Sequence, residues 1–171
     1  MKNLLPRELV ALATTVIEKN RAADRRITVA ESCTGGLVSA ALTEVPGCSD
    51  VFDCGFITYS NGAKQNMLGV SGDLLETFGA VSIAVAWEMA QGALEASGCD
   101  VAVAITGVAG PDGGTEKKPV GTVVFAKAEK GKSVDDVVAD RKIFGADKSR
   151  ADIRLQAVLV ALELLLPEDS E

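Results

Sequence analysis

Apolar and polar positions follow two periods along this chain, and each change of period marks a new element. From Arg7 to Arg21 the apolar residues Leu9, Leu12, Ala13, Val16 and Ile17 recur at helical spacing just after Pro6, a favoured residue where a helix starts. The β-branched run Ile27 to Ala30 predicts a strand. A helix opening at Thr34 and carrying Leu37, Val38, Ala41 and Leu42 follows, then the turn cluster "VPGCSD" and a second strand in "VFDCGFITYS". "NGAKQNMLGV" and "SGDLLETFGA" read as short helices. Ser82 is placed to cap a longer helix reaching Ala96, with Ile83, Trp87, Ala90 and Leu94 on one face and Trp87 expected in the core.

The next stretch, "CDVAVAITGVAG", is an unbroken apolar strand that runs into a glycine-rich loop. "VGTVVFAKAEKGKSVDDVVADRKIF" reads as two strands joined by a polar turn at Lys130 to Lys132, and Ser149 to Leu166 as an amphipathic helix before the acidic tail "PEDSE". Helices alternating with strands, plus one terminal β-hairpin, predict an α/β three-layer sandwich. Its mixed, mostly parallel sheet is flanked by helices on both faces. With no internal repeat or linker, residues 1–171 read as a single domain.

Composition narrows the chemistry. A net charge of -7 argues against a nucleic-acid backbone as the principal partner, since polyanion binding needs clustered Lys and Arg. No run has the length of a membrane span, and Pro6, Arg7 and Glu8 interrupt the only apolar start, so neither a membrane nor a signal peptide is expected and the compartment reads as cytoplasmic. Cys33, Cys48, Cys54 and Cys99 lack paired CxxC spacing and the chain has no histidine, so no metal site is expected.

The lack of histidine also removes Ser-His-Asp and Cys-His catalysis. A nucleophilic serine would need another base, and a desolvated lysine is the usual substitute. Lys64 stands a few residues after a strand, near Tyr59, although an arbitrary lysine is more often a solvated surface charge. Ser32, Tyr59 and Thr106 each follow an apparent strand, and ligands of open α/β sheets bind beyond the carboxyl ends of parallel strands. Ser32 and Thr34 have a simpler reading as helix caps, with free N–H groups from Thr34 to Gly36 available to an oxyanion under the catalytic alternative. Cys33 is a further candidate nucleophile, with a small buried thiol as its plain explanation. The loop Thr106 to Gly121 has glycines that permit close backbone approach to an anion, or it is a mobile connection; it matches neither the Walker nor the dinucleotide glycine pattern.

Four blocks in order, "AESCTGG", "ITYSNGAKQNMLGV", "AITGVAGPDGG" with "PVGTVVFA", and "SRADIRLQAVLVAL", resemble the CinA C-terminal domain family over nearly the whole chain. The domain that precedes this module in longer members has no counterpart in these residues, so the resemblance implies the stand-alone deamidase form. It implies hydrolysis of nicotinamide mononucleotide to nicotinate mononucleotide and ammonia, with Ser32 as nucleophile, Lys64 with Tyr59 as the proton-transfer pair, and no cofactor. It further implies that Glu31, Thr34, Gly35, Gly36, Thr106, Gly107 and Gly110 contact the mononucleotide and that Arg150 holds its phosphate. The family often carries "GDR" where this chain has "GADKSR", which leaves Arg154 as a rival phosphate ligand. A homo-oligomer is expected by family analogy. Two other functions stay open: a non-catalytic nucleotide-binding regulatory module, and an amidase for another small amide.

Overall fold

The computed structural model describes residues 3–168, so the last three residues of the acidic tail lie outside it. Strands β1 (Ile27–Glu31), β3 (Val101–Gly107) and β4 (Thr122–Glu129) are buried along almost their whole length, which demands cover on both faces. With β2 (Phe52–Ile57) and β5 (Val138–Ile143) at the edges they form one sheet of order β2-β1-β3-β4-β5. β1 pairs in parallel with β2 and β3, while β4 runs antiparallel to both β3 and β5. The expected mixed sheet with its closing hairpin is present, and only β4 opposes the common direction.

The two faces of the sheet differ in side-chain size. Ile27, Val29, Val103, Ile105, Val123 and Phe125 project to one side, against α1 (Arg7–Ala22), α2 (Leu37–Thr43) and α6 (Arg150–Leu164). On the other side Ala30, Ala102, Ala104, Ala126 and Ala128 meet α3 (Asn61–Leu68), α4 (Gly72–Phe78) and α5 (Ile83–Ser97). Strand alternation places large and small residues on opposite faces, completing the three layers.

The alanine-lined face corrects one expectation. The buried stripe of α5 is Val85, Ala86, Met89, Ala90 and Ala93, rotated from the expected line of Ile83, Trp87, Ala90 and Leu94. Ile83 is 51% exposed, and Trp87 is half-buried and belongs to neither core. Small side chains on both surfaces let α5 lie close to the sheet, which leaves no room for an indole between them.

β1, β2 and β3 end together: Glu31 lies between Ile57 of β2 and Ile105 of β3. The chain leaves β1 through α2 on one face and enters β3 from α5 on the other, so a crevice opens beyond the carboxyl ends of β1 and β3, as at other topological switch points.

Close packing of α5 predicts the outcome of one substitution. A Cβ at Gly92 would stand 2.0 Å from the carbonyl oxygen of Leu68, a backbone atom that cannot swing aside. Gly92→Ala should therefore destabilise the protein by about 1–3 kcal/mol, despite the better helix propensity of alanine, as read by chemical denaturation.

Candidate active site

The turn from Ser32 to Gly36 is built around the side chain of Glu31. This fully buried carboxylate accepts from Thr34 Oγ1 (2.7 Å), the N–H groups of Gly36 (2.9 Å), Val38 (3.1 Å) and Ser39 (2.9 Å), and Ser39 Oγ (2.8 Å). It satisfies the orphan donors at the start of α2, the task that the simpler reading gave to Ser32 or Thr34. Gly35 and Gly36 take positive φ (60° and 96°), and the Gly35 N–H closes the turn on the Ser32 carbonyl at 3.0 Å. Gly55 in β2 has no side chain because a Cβ there would lie 2.3 Å from Ser39 Oγ.

With capping done by Glu31, the Ser32 hydroxyl is free for another partner. It accepts from Lys64 Nζ at 2.9 Å. The same nitrogen donates to the carbonyls of Thr58 (2.7 Å) and Tyr59 (3.3 Å), and Lys64 is 1% exposed. Ser60 caps α3 through the Ala63 N–H, which fixes where that helix begins and so sends Lys64 inward. Burial pushes the Lys64 amine below the ordinary lysine range, with a small opposing influence from Cys33. A neutral amine there has two N–H bonds for the two carbonyls and a lone pair directed at the serine hydroxyl, so it can take the hydroxyl proton. Cys33, beside it, is buried and its thiol is pushed up to about 11, so it stays protonated at neutral pH, unlike an activated cysteine.

Ser32, Cys33, Lys64, Thr106, Gly107 and Arg150 line a cleft of about 200 Å³, together with Tyr59, Ala80, Val81 and Ala109. A larger hollow of about 380 Å³ lies at the other end of β3 and β4, lined by exposed Glu95, Lys130 and Lys132 and holding no comparable buried pair. Of the two, the smaller cleft holds the buried contact between Ser32 and Lys64.

The structure reassigns several expected site residues. The Tyr59 phenol makes no hydrogen bond to Ser32 or Lys64; 61% exposed, it pairs with Arg150 Nη2 at 3.1 Å, and Tyr59 serves Lys64 through its carbonyl. Arg150 also donates from Nη1 to the Gly110 carbonyl at 2.6 Å, so its guanidinium stands at the mouth of the cleft. Gly110 therefore orients Arg150, and Thr106 spends its buried hydroxyl on the Ala80 carbonyl (2.9 Å), tethering the segment before α5. Glu31 and Thr34 are fully buried within the frame of the turn, and neither they nor Gly35 and Gly36 line the cleft. The Gly35 and Gly36 N–H groups are committed, which removes them from the expected oxyanion set. Gly107 does face the cleft, with Cys33 Sγ 3.1 Å from where its Cβ would stand.

Arg154 lies behind the turn. Its Nε and Nη2 donate to the carbonyls of Cys33 and Thr34, both at 3.1 Å, so of the two rival arginines only Arg150 reaches the cleft. Sequence patterns did not mark this grip, nor the contributions of Thr58, Ala80 and Val81; the mid-strand glycine in "DCGFI" was a usable sign of close approach at Gly55. Among the described residues no group of three His, Cys, Asp or Glu side chains is arranged to hold a metal ion. No helix among them is long and apolar enough to cross a membrane.

Replacing Glu31 by Gln exchanges one acceptor oxygen for a donor that faces N–H groups. Glu31→Gln should cost about 2–4 kcal/mol in denaturation midpoint analysis, since hydrogen bonds to a charged acceptor are lost and a buried donor is stranded.

The chain is 51% identical over 142 residues to "Nicotinamide-nucleotide amidohydrolase PncC" of Enterobacter agglomerans, covering 83% of this chain and 84% of that protein. It is 46% identical over 158 residues to the protein of the same name from Escherichia coli K12, covering 92% and 93%. A crystal structure titled competence/damage inducible protein CihA, from Agrobacterium tumefaciens, superposes with a TM-score of 0.90 at 44% identity, covering 96% of this chain and 97% of that one. The model of the CinA C-terminal domain matches residues 9–168, so the chain belongs to the CinA C-terminal domain family.

Proposed function

We propose that this protein hydrolyses the carboxamide of nicotinamide mononucleotide, giving nicotinate mononucleotide and ammonia, with Ser32 as nucleophile and Lys64 as its base. The names of the close relatives support the substrate, and the 2.9 Å contact between Lys64 Nζ and Ser32 Oγ carries the chemistry. As Ser32 Oγ attacks the carboxamide carbon, its proton passes to the neutral Lys64 amine and the amide oxygen becomes an oxyanion. The Lys64 ammonium, still held by the Thr58 and Tyr59 carbonyls, then gives a proton to the departing nitrogen, and ammonia leaves with the electrons of the C–N bond. Water attacks the resulting ester, Lys64 again taking the proton, and Ser32 is restored.

Arg150 is the phosphate ligand in this reading. It stands at the mouth of the cleft with its planar donor fork already oriented by the Gly110 carbonyl and the Tyr59 hydroxyl, and a guanidinium fork suits phosphate oxygens. Those two contacts hold the fork before substrate arrives, which lowers the ordering cost of binding.

Three outcomes test the reading. Ser32→Ala and Lys64→Met should each lower ammonia release from nicotinamide mononucleotide by at least about 10²-fold without loss of folding; wild-type turnover in either would refute the mechanism. The kcat/KM of the wild type should rise with pH as Lys64 loses its proton. Because burial lowers that pKa, the half-rise should fall below the ordinary lysine value of about 10.4, and a rise only at or above that value would count against Lys64 as base. Arg150→Ala should raise KM by about 10- to 100-fold with kcat far less affected, the weight of one charge-assisted contact to phosphate.

A further inference from the structure

Two donors in the turn, the N–H groups of Cys33 and Thr34, reach no oxygen acceptor among the described residues; that of Cys33 has only its own thiol sulfur, a weak acceptor, beside it. Thr34 is fully enclosed, whereas Cys33 lines the cleft next to Ser32. An unpaired main-chain donor beside a nucleophile is costly unless a ligand atom completes it. We propose that the Cys33 N–H receives the oxyanion formed in the reaction, and that Arg154 is a positioning residue that aims it from behind the turn. This inference rests on Ser32 being the nucleophile.

The relay runs through two peptide groups in series. A trans peptide is planar, so its C=O and N–H point in opposite directions. Arg154 Nη2 grips the Thr34 carbonyl at 3.1 Å, which turns the N–H of the same peptide, that of Gly35, toward the Ser32 carbonyl at 3.0 Å. That bond holds the Ser32–Cys33 peptide, whose N–H is left facing away from the Ser32 carbonyl, beside the Cys33 side chain that lines the cleft. Arg154 Nε fixes the next plane by its bond to the Cys33 carbonyl. The guanidinium also polarises the chain of peptide dipoles, making the terminal N–H a stronger donor. Glu31 holds the other end of the same turn through Thr34 and Gly36. Arg154 does none of this by touching substrate: its stem lies in a separate groove with Leu9 and Leu37.

The test follows the rate at which a fluorophosphonate labels Ser32, read by mass spectrometry, in the wild type, Arg154→Lys and Arg154→Met, beside steady-state ammonia release. In labelling, Oγ bonds to phosphorus, fluoride leaves with the electrons of the P–F bond, the hydroxyl proton passes to Lys64, and the phosphoryl oxygen takes the oxyanion position. Labelling and kcat should both fall at least about tenfold in Arg154→Lys and further in Arg154→Met, within the loss of about 10²–10³ expected for an oxyanion donor. KM and the pH of half-maximal labelling should not move, since Arg150 and Lys64 are untouched. Wild-type labelling rates in both variants would overturn the inference, as would a raised KM at unchanged kcat, which would make Arg154 a substrate ligand. Should Arg154→Met fail to fold, Arg154→Lys decides by the same criteria. An unlabelled Ser32 in the wild type, with ammonia release retained by Ser32→Ala, would instead refute Ser32 as nucleophile and the inference with it.

Discussion

The enclosure of the Lys64 nitrogen between the ends of β1 and β2 is the constraint to which the rest of the site answers. An ammonium taken out of water costs several kcal/mol unless it is paired, and the partners here are two carbonyls and a hydroxyl, none of them charged. The nearest carboxylate along the chain from Ser32, that of Glu31, is spent on the start of α2. Burial without a counter-charge favours the neutral amine, and a neutral amine has the proton vacancy that an alcohol nucleophile requires. A carboxylate beside Lys64 would have stabilised the ion and removed the base.

This accounts for the division of labour around the turn. A serine next to a helix start is ordinarily drawn to the free N–H groups there. Glu31 occupies those groups from inside the fold, so Ser32 is left to Lys64. The arrangement depends on close packing at the neighbouring strand β2: Gly55 makes space for Ser39, and Ser39 supplies two of the bonds that hold Glu31. On the outer side, the Gly110 carbonyl and the Tyr59 hydroxyl hold the Arg150 guanidinium while Thr106 ties down Ala80, so the cleft has a rigid rear wall and a charged mouth.

The order of helices and strands was legible in the chain because the change from helical to strand periodicity is a local signal, and the convergence of Ser32, Tyr59 and Thr106 followed from the rule for strand ends. The block "AESCTGG" drew attention to the turn whose Ser32 and Cys33 line the cleft. The direction in which a side chain is spent is a tertiary matter, and there the chain was silent. Glu31 reads as an ordinary acid in sequence, yet its five hydrogen bonds make it a structural anion. Tyr59 and Lys64 lie close in sequence, but the phenol turns outward to Arg150 while only the Tyr59 carbonyl reaches the amine. Trp87 misled for a related reason: bulk suggests a core, whereas the sheet surface facing α5 is alanine, which selects small residues in return.

The proposed mechanism requires that Lys64 carry no proton when it meets the Ser32 hydroxyl. It is tested most directly by following the side-chain nitrogen and adjacent carbon signals of Lys64 by NMR as pH is varied, assigned by comparison with Lys64→Met. A titration clearly below the ordinary lysine value of about 10.4 is expected, because burial lowers it. A Lys64 that titrates at or above that value would rule the mechanism out.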